Sequence, residues 1–222
     1  MGSPPFERTL LKDRAYDYIK GLILDGSYEP GCFISERELS AQLQMSKTPV
    51  RAALERLAEQ GFVTIAPQRG VIVRALSSRE IADHYDFRMA LESWIMRTMA
   101  GRLNADDVRQ LRENLATQQR QVSGDNDIRG FTESDAAFHI IITQATGNAE
   151  FERAMAHQRD KVQLVVEQIA FRDPTVPPHS YAEHRGIFDA LMDGDGDLAS
   201  RLVVEHLEHG KKFLLMGGTY GQ

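Results

Sequence analysis

The four side chains with the most distinctive chemistry lie in the second half of the chain. Asp135 and His139 are four residues apart in a segment with helical periodicity, so both project beside the same apolar stripe. His184 and His206 lie on the apolar sides of two later predicted helices. Burying such groups without partners costs about 1–3 kcal/mol for each neutral one and more for a charge. One divalent cation would satisfy all of them, and these nitrogen and oxygen donors suit zinc, nickel, manganese or iron.

Two other interpretations of these side chains stay open. Each could be a separate buried polar residue with its own hydrogen-bond partner, which is the commoner state of a lone inward histidine. Alternatively, the cluster could activate water as a metalloenzyme does, although no nucleophile or separate general base accompanies it. The remaining histidines are predicted to lie on helix edges or in a Pro-rich loop and to be unrelated to the site: His84, His157, His179 and His209.

Six helices are expected to position this cluster. Apolar residues recur with the helical period throughout the second half of the chain, and no strand pattern interrupts them. The breaks between helices contain Gly, Asn, Asp or Pro. The predicted helices span 78–101, 105–122, 127–146, 149–172, 179–193 and 196–215. This half is therefore expected to be an all-α bundle.

The first half of the chain has the pattern of a winged helix-turn-helix. Ser35 and Glu38 fit a capping box at the start of a short helix. A second helix is expected to begin near Pro49, which is tolerated in a first turn, and to end before Gly61. In chain order the predicted elements are a helix over 9–26, helices starting near 35 and 46, and β-strands over 62–65 and 71–73. Such a unit places one helix in the major groove of DNA.

Five polar side chains lie where this unit would meet DNA. Lys47, Thr48 and Arg51 lie near the start of the second helix, where the helix dipole favours phosphate. Arg37 lies early on the preceding helix, and Arg69 lies at the tip of the hairpin. The cations could contact either base edges or phosphates. The alternative is that they are ordinary surface charges, but the agreement between the caps, the proline and the hairpin favours DNA binding.

Three segments resemble the DNA-binding signature of the GntR family of bacterial transcriptional regulators: SERELS (35–40), MSKTPVRAAL (45–54) and LAEQGFV (57–63). The family often has Arg where this chain has Lys47. The resemblance covers about 65 residues and implies a DNA-binding regulator rather than an enzyme.

The second half resembles the FCD effector domain that accompanies FadR-type GntR regulators. The similarity rests on the Asp-x-x-x-His pattern and the two later histidines, with six rather than seven helices as in the smaller, VanR-like subgroup. It implies a divalent metal, zinc as the first expectation, held at the floor of a pocket. The implied ligands are Asp135, His139, His184 and His206.

The same resemblance implies a small carboxylate effector. Arg88 is the residue expected to contact it, with Tyr85 on the same helix face and Asn148 just after the helix of Asp135. A structural ion pair between Arg88 and Glu92, four residues on, is the alternative role of this arginine.

Length and charge agree with two domains, 1–76 and 77–222. The chain has 222 residues and a net charge of −6, but the first domain holds ten Lys and Arg against nine Asp and Glu. The acidic excess therefore belongs to the second domain, and DNA attraction must come from a local basic face. The lone Cys32 excludes an intramolecular disulfide. No apolar run is long enough for a membrane span and no signal peptide is evident, so the protein is expected in the cytoplasm.

The sequence thus predicts a homodimer on a roughly palindromic DNA operator, with a small organic acid relieving repression. A regulator whose metal is itself the signal is the alternative.

Overall fold

The computed structural model describes residues 11–66, 70–124, 127–156 and 175–216. The chain divides into two compact units, Met1–Ala75 and Leu76–Gln222. Among the described residues, none of the helices combines the length and the apolar character that crossing a membrane requires.

The first unit is the predicted winged helix-turn-helix. Its elements are α1 (Leu11–Leu24), β1 (Phe33–Ile34), α2 (Glu36–Gln42), α3 (Lys47–Glu59), β2 (Val63–Ala66) and β3 (Gly70–Val73). The strands form one antiparallel sheet in the order β1-β3-β2. Strand β1 was not predicted, because two residues are too few to show alternation. It forms because one edge of β3 is open, and Phe33 pairs there with Ile72.

Local signals set the position of the second helix of the motif. The hydroxyl of Ser35 accepts a hydrogen bond from the amide of Glu38 at 3.3 Å, which starts α2. Gln44 then adopts a left-handed conformation with φ of 51° in the turn between α2 and α3. Helix α3 begins at Lys47 and packs against α1, and its apolar residues Val50 and Leu54 are fully buried.

The second unit is the predicted all-α bundle. Its described helices are α4 (Ser78–Met99), α5 (Ala105–Ser123), α6 (Ile128–Ala145), α7 (149–156), α8 (Val176–Asp193) and α9 (Gly196–Leu215). Ser77 and Glu80 form a full capping box at the start of α4. Helix α4 packs mainly on α9, α5 on α6, and α8 on α9. This packing turns one face each of α6, α8 and α9 toward a shared core.

Helix α8 starts earlier in the chain than its sequence pattern predicts. Helix α8 begins at Val176 rather than at 179, because Pro177 and Pro178 occupy its first turn, where no intrahelical amide donor is required. Of the predicted helix over 149–172, residues 157–172 lie outside the described part of the chain.

Candidate metal centre and DNA interface

Three imidazoles from three helices converge in the core of the second unit. His139 lies on α6, His184 on α8 and His206 on α9, and all three are buried. The Nε2 atom of His206 lies 3.3 Å from Nε2 of His139 and 3.3 Å from Nε2 of His184. The donor atoms of the three rings all lie within 4.8 Å of one another.

The other nitrogen of each ring is held by an acceptor from the protein. In each case Nδ1 lies at hydrogen-bond distance from an oxygen of a carboxylate or of a side-chain amide. Such an oxygen can accept a hydrogen bond but cannot donate one, so the ring nitrogen must be the donor. The pairs are His139 with Glu92 (2.5 Å), His184 with Gln118 (2.9 Å) and His206 with Glu183 (2.8 Å). The rings therefore carry hydrogen on Nδ1 and direct their Nε2 lone pairs toward one another, as metal-ligating histidines do.

The amide orientation of Gln118 supports this tautomer. Its Nε2 donates to the Asn114 side-chain oxygen at 2.7 Å and lies 3.3 Å from the Ser134 carbonyl oxygen. A backbone carbonyl accepts only, so the NH₂ group must face Ser134. The oxygen of Gln118 then faces His184 and accepts the Nδ1 hydrogen.

Three converging lone pairs repel one another unless a cation lies between them. Two nitrogens bound to one tetrahedral ion at about 2.0–2.1 Å are themselves about 3.3 Å apart, which matches both Nε2 separations. Burial lowers the pKa of His139, and burial together with the neighbouring imidazoles lowers the pKa of His184 well below its ordinary value. Both rings are therefore neutral at pH 7 and able to bind a metal. The donor set fits a divalent cation.

Asp135, the fourth predicted ligand, lies at the edge of this cluster. Its Oδ1 is 3.6 Å from Nε2 of His184, and its side chain is 25% exposed. The carboxylate is outside the group of donors that all lie within 4.8 Å of one another. The structure thus brings three predicted ligands together closely and leaves Asp135 on the side that solvent reaches.

Arg88 is joined to the cluster through Glu92. The fully buried Glu92 accepts from Nε of Arg88 at 2.6 Å with one oxygen and contacts His139 with the other. Burial would raise the pKa of Glu92, but the charge of Arg88 and the bond to His139 outweigh it, so the pKa is lowered. The ion pair considered as the alternative role of Arg88 is therefore present. It uses only Nε–H, and the guanidinium has terminal N–H groups that could also bind an anion.

The other two predicted effector residues have different surroundings. Tyr85 is buried, and its ring centroid lies 5.8 Å from Cζ of Arg88. Asn148 caps α7, because its side-chain oxygen accepts from the amides of Glu150 at 3.0 Å and Phe151 at 3.4 Å. Contact of either residue with an effector remains a prediction.

The sequence prediction missed the residues that hold the histidines. Glu92 was considered only as a partner of Arg88, whereas Gln118 and Glu183 were not considered. No local signal points to Gln118, which is 66 residues from His184. An acidic residue directly before a candidate ligand could have drawn attention to Glu183.

Three of the histidines assigned to helix edges or the Pro-rich loop differ from that expectation. His84 is buried, and its ring packs edge-on against Tyr85. His179 and His209 both contact Glu183, so they adjoin the cluster. His157 lies outside the described residues.

The predicted DNA-contacting residues of the described part are exposed. Arg37, Lys47 and Thr48 all face solvent on α2 and at the start of α3. Arg51 is also exposed, and its Nε lies 3.3 Å from Oε1 of Glu55, one turn further along α3. Arg69 lies outside the described residues. Helix α3, the second helix of the helix-turn-helix and here called the recognition helix, thus has two exposed cations and an exposed hydroxyl near its N-terminal end.

A winged helix-turn-helix with exposed cations on its second helix is the architecture of a DNA-binding protein, and here a separate helical unit with a buried polar centre follows it. Residues 11–73 match the family of bacterial regulatory proteins named gntR, and residues 83–209 match the FCD domain. The chain belongs to the GntR family of bacterial transcriptional regulators and carries an FCD domain. It is a regulator of this family rather than an enzyme.

Curated relatives agree with this assignment. The HTH-type transcriptional repressor RspR of Escherichia coli K12 is 32% identical over 81% of this chain and 78% of its own length. The probable D-xylose utilization operon transcriptional repressor of Paenarthrobacter nicotinovorans is 30% identical over 90% of this chain and 87% of its own length.

Solved structures share the fold. McbR/YncC of Escherichia coli superposes with a TM-score of 0.79 at 20% identity, covering 94% of this chain and 98% of that one. A GntR protein from Rhodococcus sp. RHA1 has a TM-score of 0.79 at 24% identity, covering 95% and 99%. At these identities the likeness establishes the architecture.

Proposed function

We propose that this regulator is a metabolite-responsive repressor whose helical unit binds a divalent metal ion and a small carboxylate. Zinc is the first candidate for the metal. The observation that carries the proposal is the convergence of three Nε2 atoms, with each Nδ1 held by a protein oxygen. Such second contacts orient ligands before a metal arrives and raise their basicity. Nickel, manganese or iron would suit the same donors.

The acid would bind between the metal and Arg88. A bound cation would supply positive charge and an exchangeable coordination position at the end of the cluster where Asp135 is partly exposed. Arg88 would supply a second positive charge, fixed in place by Glu92. Two positive groups at the end of a buried centre favour a small anion over a neutral ligand.

DNA binding would use the exposed face of the first unit. Two copies of the chain, related by two-fold symmetry, would read a roughly palindromic operator with α3 in the major groove. The contacts would come from Arg37, Lys47, Thr48, Arg51 and Arg69. An acid that favours one arrangement of the dimer would change operator affinity by that difference in binding. Two of the relatives are named repressors, which supports release from DNA as the response.

The test begins by selecting an operator from random DNA duplexes with the purified protein. Binding to it is then measured by gel shift in the presence of a panel of small carboxylates and sugar acids. We expect at least one acid to weaken binding, and Arg88→Gln to abolish that response. Arg102→Gln, which alters an exposed arginine of the same unit, should keep it.

Failure of every acid to alter operator binding would contradict this function. If metal titration without any organic ligand switches binding instead, the metal itself is the signal. In that case the signal is the metal ion rather than an organic acid, and the proposed metal centre still stands.

A further inference from the structure

A second group of metal-type donors lies beside the buried cluster, nearer the surface. His179 and Glu183 are four residues apart on α8, and His209 lies on α9. One carboxylate oxygen of Glu183 lies 3.0 Å from Nε2 of His179 and 2.5 Å from Nδ1 of His209. One donor atom from each of the three residues lies within 4.8 Å of the other two.

We propose that His179, Glu183 and His209 form a second divalent-metal site, separate from the buried three-histidine centre. Two imidazoles and one carboxylate are a donor set for zinc, nickel, copper and iron. The i,i+4 spacing of His179 and Glu183 places both donors on one helix face. His209 completes the set from the neighbouring helix.

The exposure of these residues distinguishes the site from the inner one. The side chains of His179 and His209 are 50% and 41% exposed, whereas that of Glu183 is 17% exposed. Water can therefore complete the coordination shell, and the ion can exchange directly with solution. We expect weaker binding than at the inner site, because exposed side chains lose more conformational freedom when they become ligands.

The competing arrangement is a hydrogen-bonded cluster without an ion. A carboxylate oxygen that accepts from two imidazoles gives the observed contacts of 2.5 and 3.0 Å. Donors on one tetrahedral ion are about 3.3 Å apart, so metal binding requires these contacts to open by under about 1 Å. Two half-exposed rings can make that adjustment. His209 would then carry its hydrogen on Nε2 and offer Nδ1 to the metal.

Glu183 connects the two sites. Its first oxygen belongs to the outer group, whereas its second accepts from Nδ1 of His206, an inner ligand, at 2.8 Å. One carboxylate therefore offers a different oxygen to each site. Any coupling between the two ions rests on the proposed inner metal, but the existence of the outer site does not.

The experiment counts zinc ions on the full chain by competition with a chromophoric chelator. Wild-type protein is expected to bind one ion tightly and a second more weakly per chain. The double variant His179→Gln/His209→Gln should lose only the weaker ion. The double variant His139→Gln/His184→Gln should lose only the tighter one, so failure of either site is seen separately. Circular dichroism confirms that each variant is folded.

His84→Gln provides the matched control, because it removes a described histidine that belongs to neither group. It should leave both ions in place. Wild-type protein that binds a single ion which His179→Gln/His209→Gln keeps, or a His179→Gln/His209→Gln variant that keeps two, would overturn the outer site. Loss of the weaker ion in folded His84→Gln would also overturn it.

Discussion

A carboxylate oxygen of Glu92 lies 2.5 Å from Nδ1 of His139, although the two residues are 47 positions apart in the chain. The other oxygen of the same carboxylate lies 2.6 Å from Nε of Arg88. Glu92 therefore orients a candidate metal ligand and a candidate effector contact at once. This shared carboxylate physically links the two parts of the proposed sensor.

Replacing Glu92 should weaken both functions. Glu92→Gln keeps the shape but removes the charge that holds Arg88 and polarises His139. Loss of such a second contact typically costs about 10–100-fold in metal affinity. Breaking a buried ion pair also destabilises the fold by about 3–5 kcal/mol. Chelator competition measures the first effect, and chemical denaturation measures the second.

The control for this variant is Asp83→Asn, which removes a carboxylate from an exposed ion pair with Arg79 on the same helix. Its effect on stability should be about 0–1 kcal/mol, and metal affinity should not change. Equal effects of the two variants would show that Glu92 has no special part in the centre.

Removing the metal should destabilise the helical unit. An ion that binds only the folded chain raises the free energy of unfolding by about 2.7 kcal/mol when its free concentration is about one hundred times its Kd. Without it, the lone pairs of His139, His184 and His206 face one another. Scanning calorimetry with and without a chelator should therefore show a lower Tm after chelation. Unchanged melting would argue that these rings are purely structural.

Removing cations from the recognition helix should weaken operator binding. If the side chain of Lys47 or Arg51 contacts a base edge, its replacement by Ala should cost about 1–3 kcal/mol of binding free energy. Specificity for that base pair should also be relaxed. If it contacts a phosphate, the loss should be uniform across sequences, with a salt slope reduced by about one. Titrations at several salt concentrations separate the two cases. Arg102→Ala, in the other unit, should bind DNA like the wild type.

Two glycines of the second unit, Gly196 and Gly186, differ in how much room their neighbours leave for a side chain. A Cβ on Gly196, at the start of α9, would lie 2.6 Å from the carbonyl oxygen of Arg97. Because the clash is with backbone, Gly196→Ala should destabilise the protein by about 1–3 kcal/mol. A Cβ on Gly186 would meet only Leu202 Cδ1, at 3.7 Å. Gly186→Ala should be neutral or stabilising by up to about 1 kcal/mol, and urea unfolding compares the two directly.

Periodicity was sufficient to predict the helical half and to place three candidate ligands on the inner faces of their helices. His139 could be placed because its apolar neighbours recur with a period of 3.6 residues, which defines an inner face without knowledge of the partner helix. The same logic placed His184 and His206 on inner faces. The local cap predicted at Ser35 is also present, since its hydroxyl accepts from the amide of Glu38.

The contacts between distant elements could not be predicted in this way. The bond between Gln118 and His184 depends on how α5 and α8 pack, which no local pattern encodes. The role of Glu183 depends on α9 approaching α8. Strand β1 exists only because β3 is beside it. Each missed feature is a pairing whose partners are far apart in the chain.

The most direct test of the central claim is anomalous diffraction from crystals of the protein as purified, collected on both sides of the absorption edge of the metal found by X-ray fluorescence. We predict one strong anomalous peak about 2.0–2.1 Å from the Nε2 atoms of His139, His184 and His206. Well-ordered rings at this position with no anomalous peak between them, or rings that face away from one another, would contradict the account.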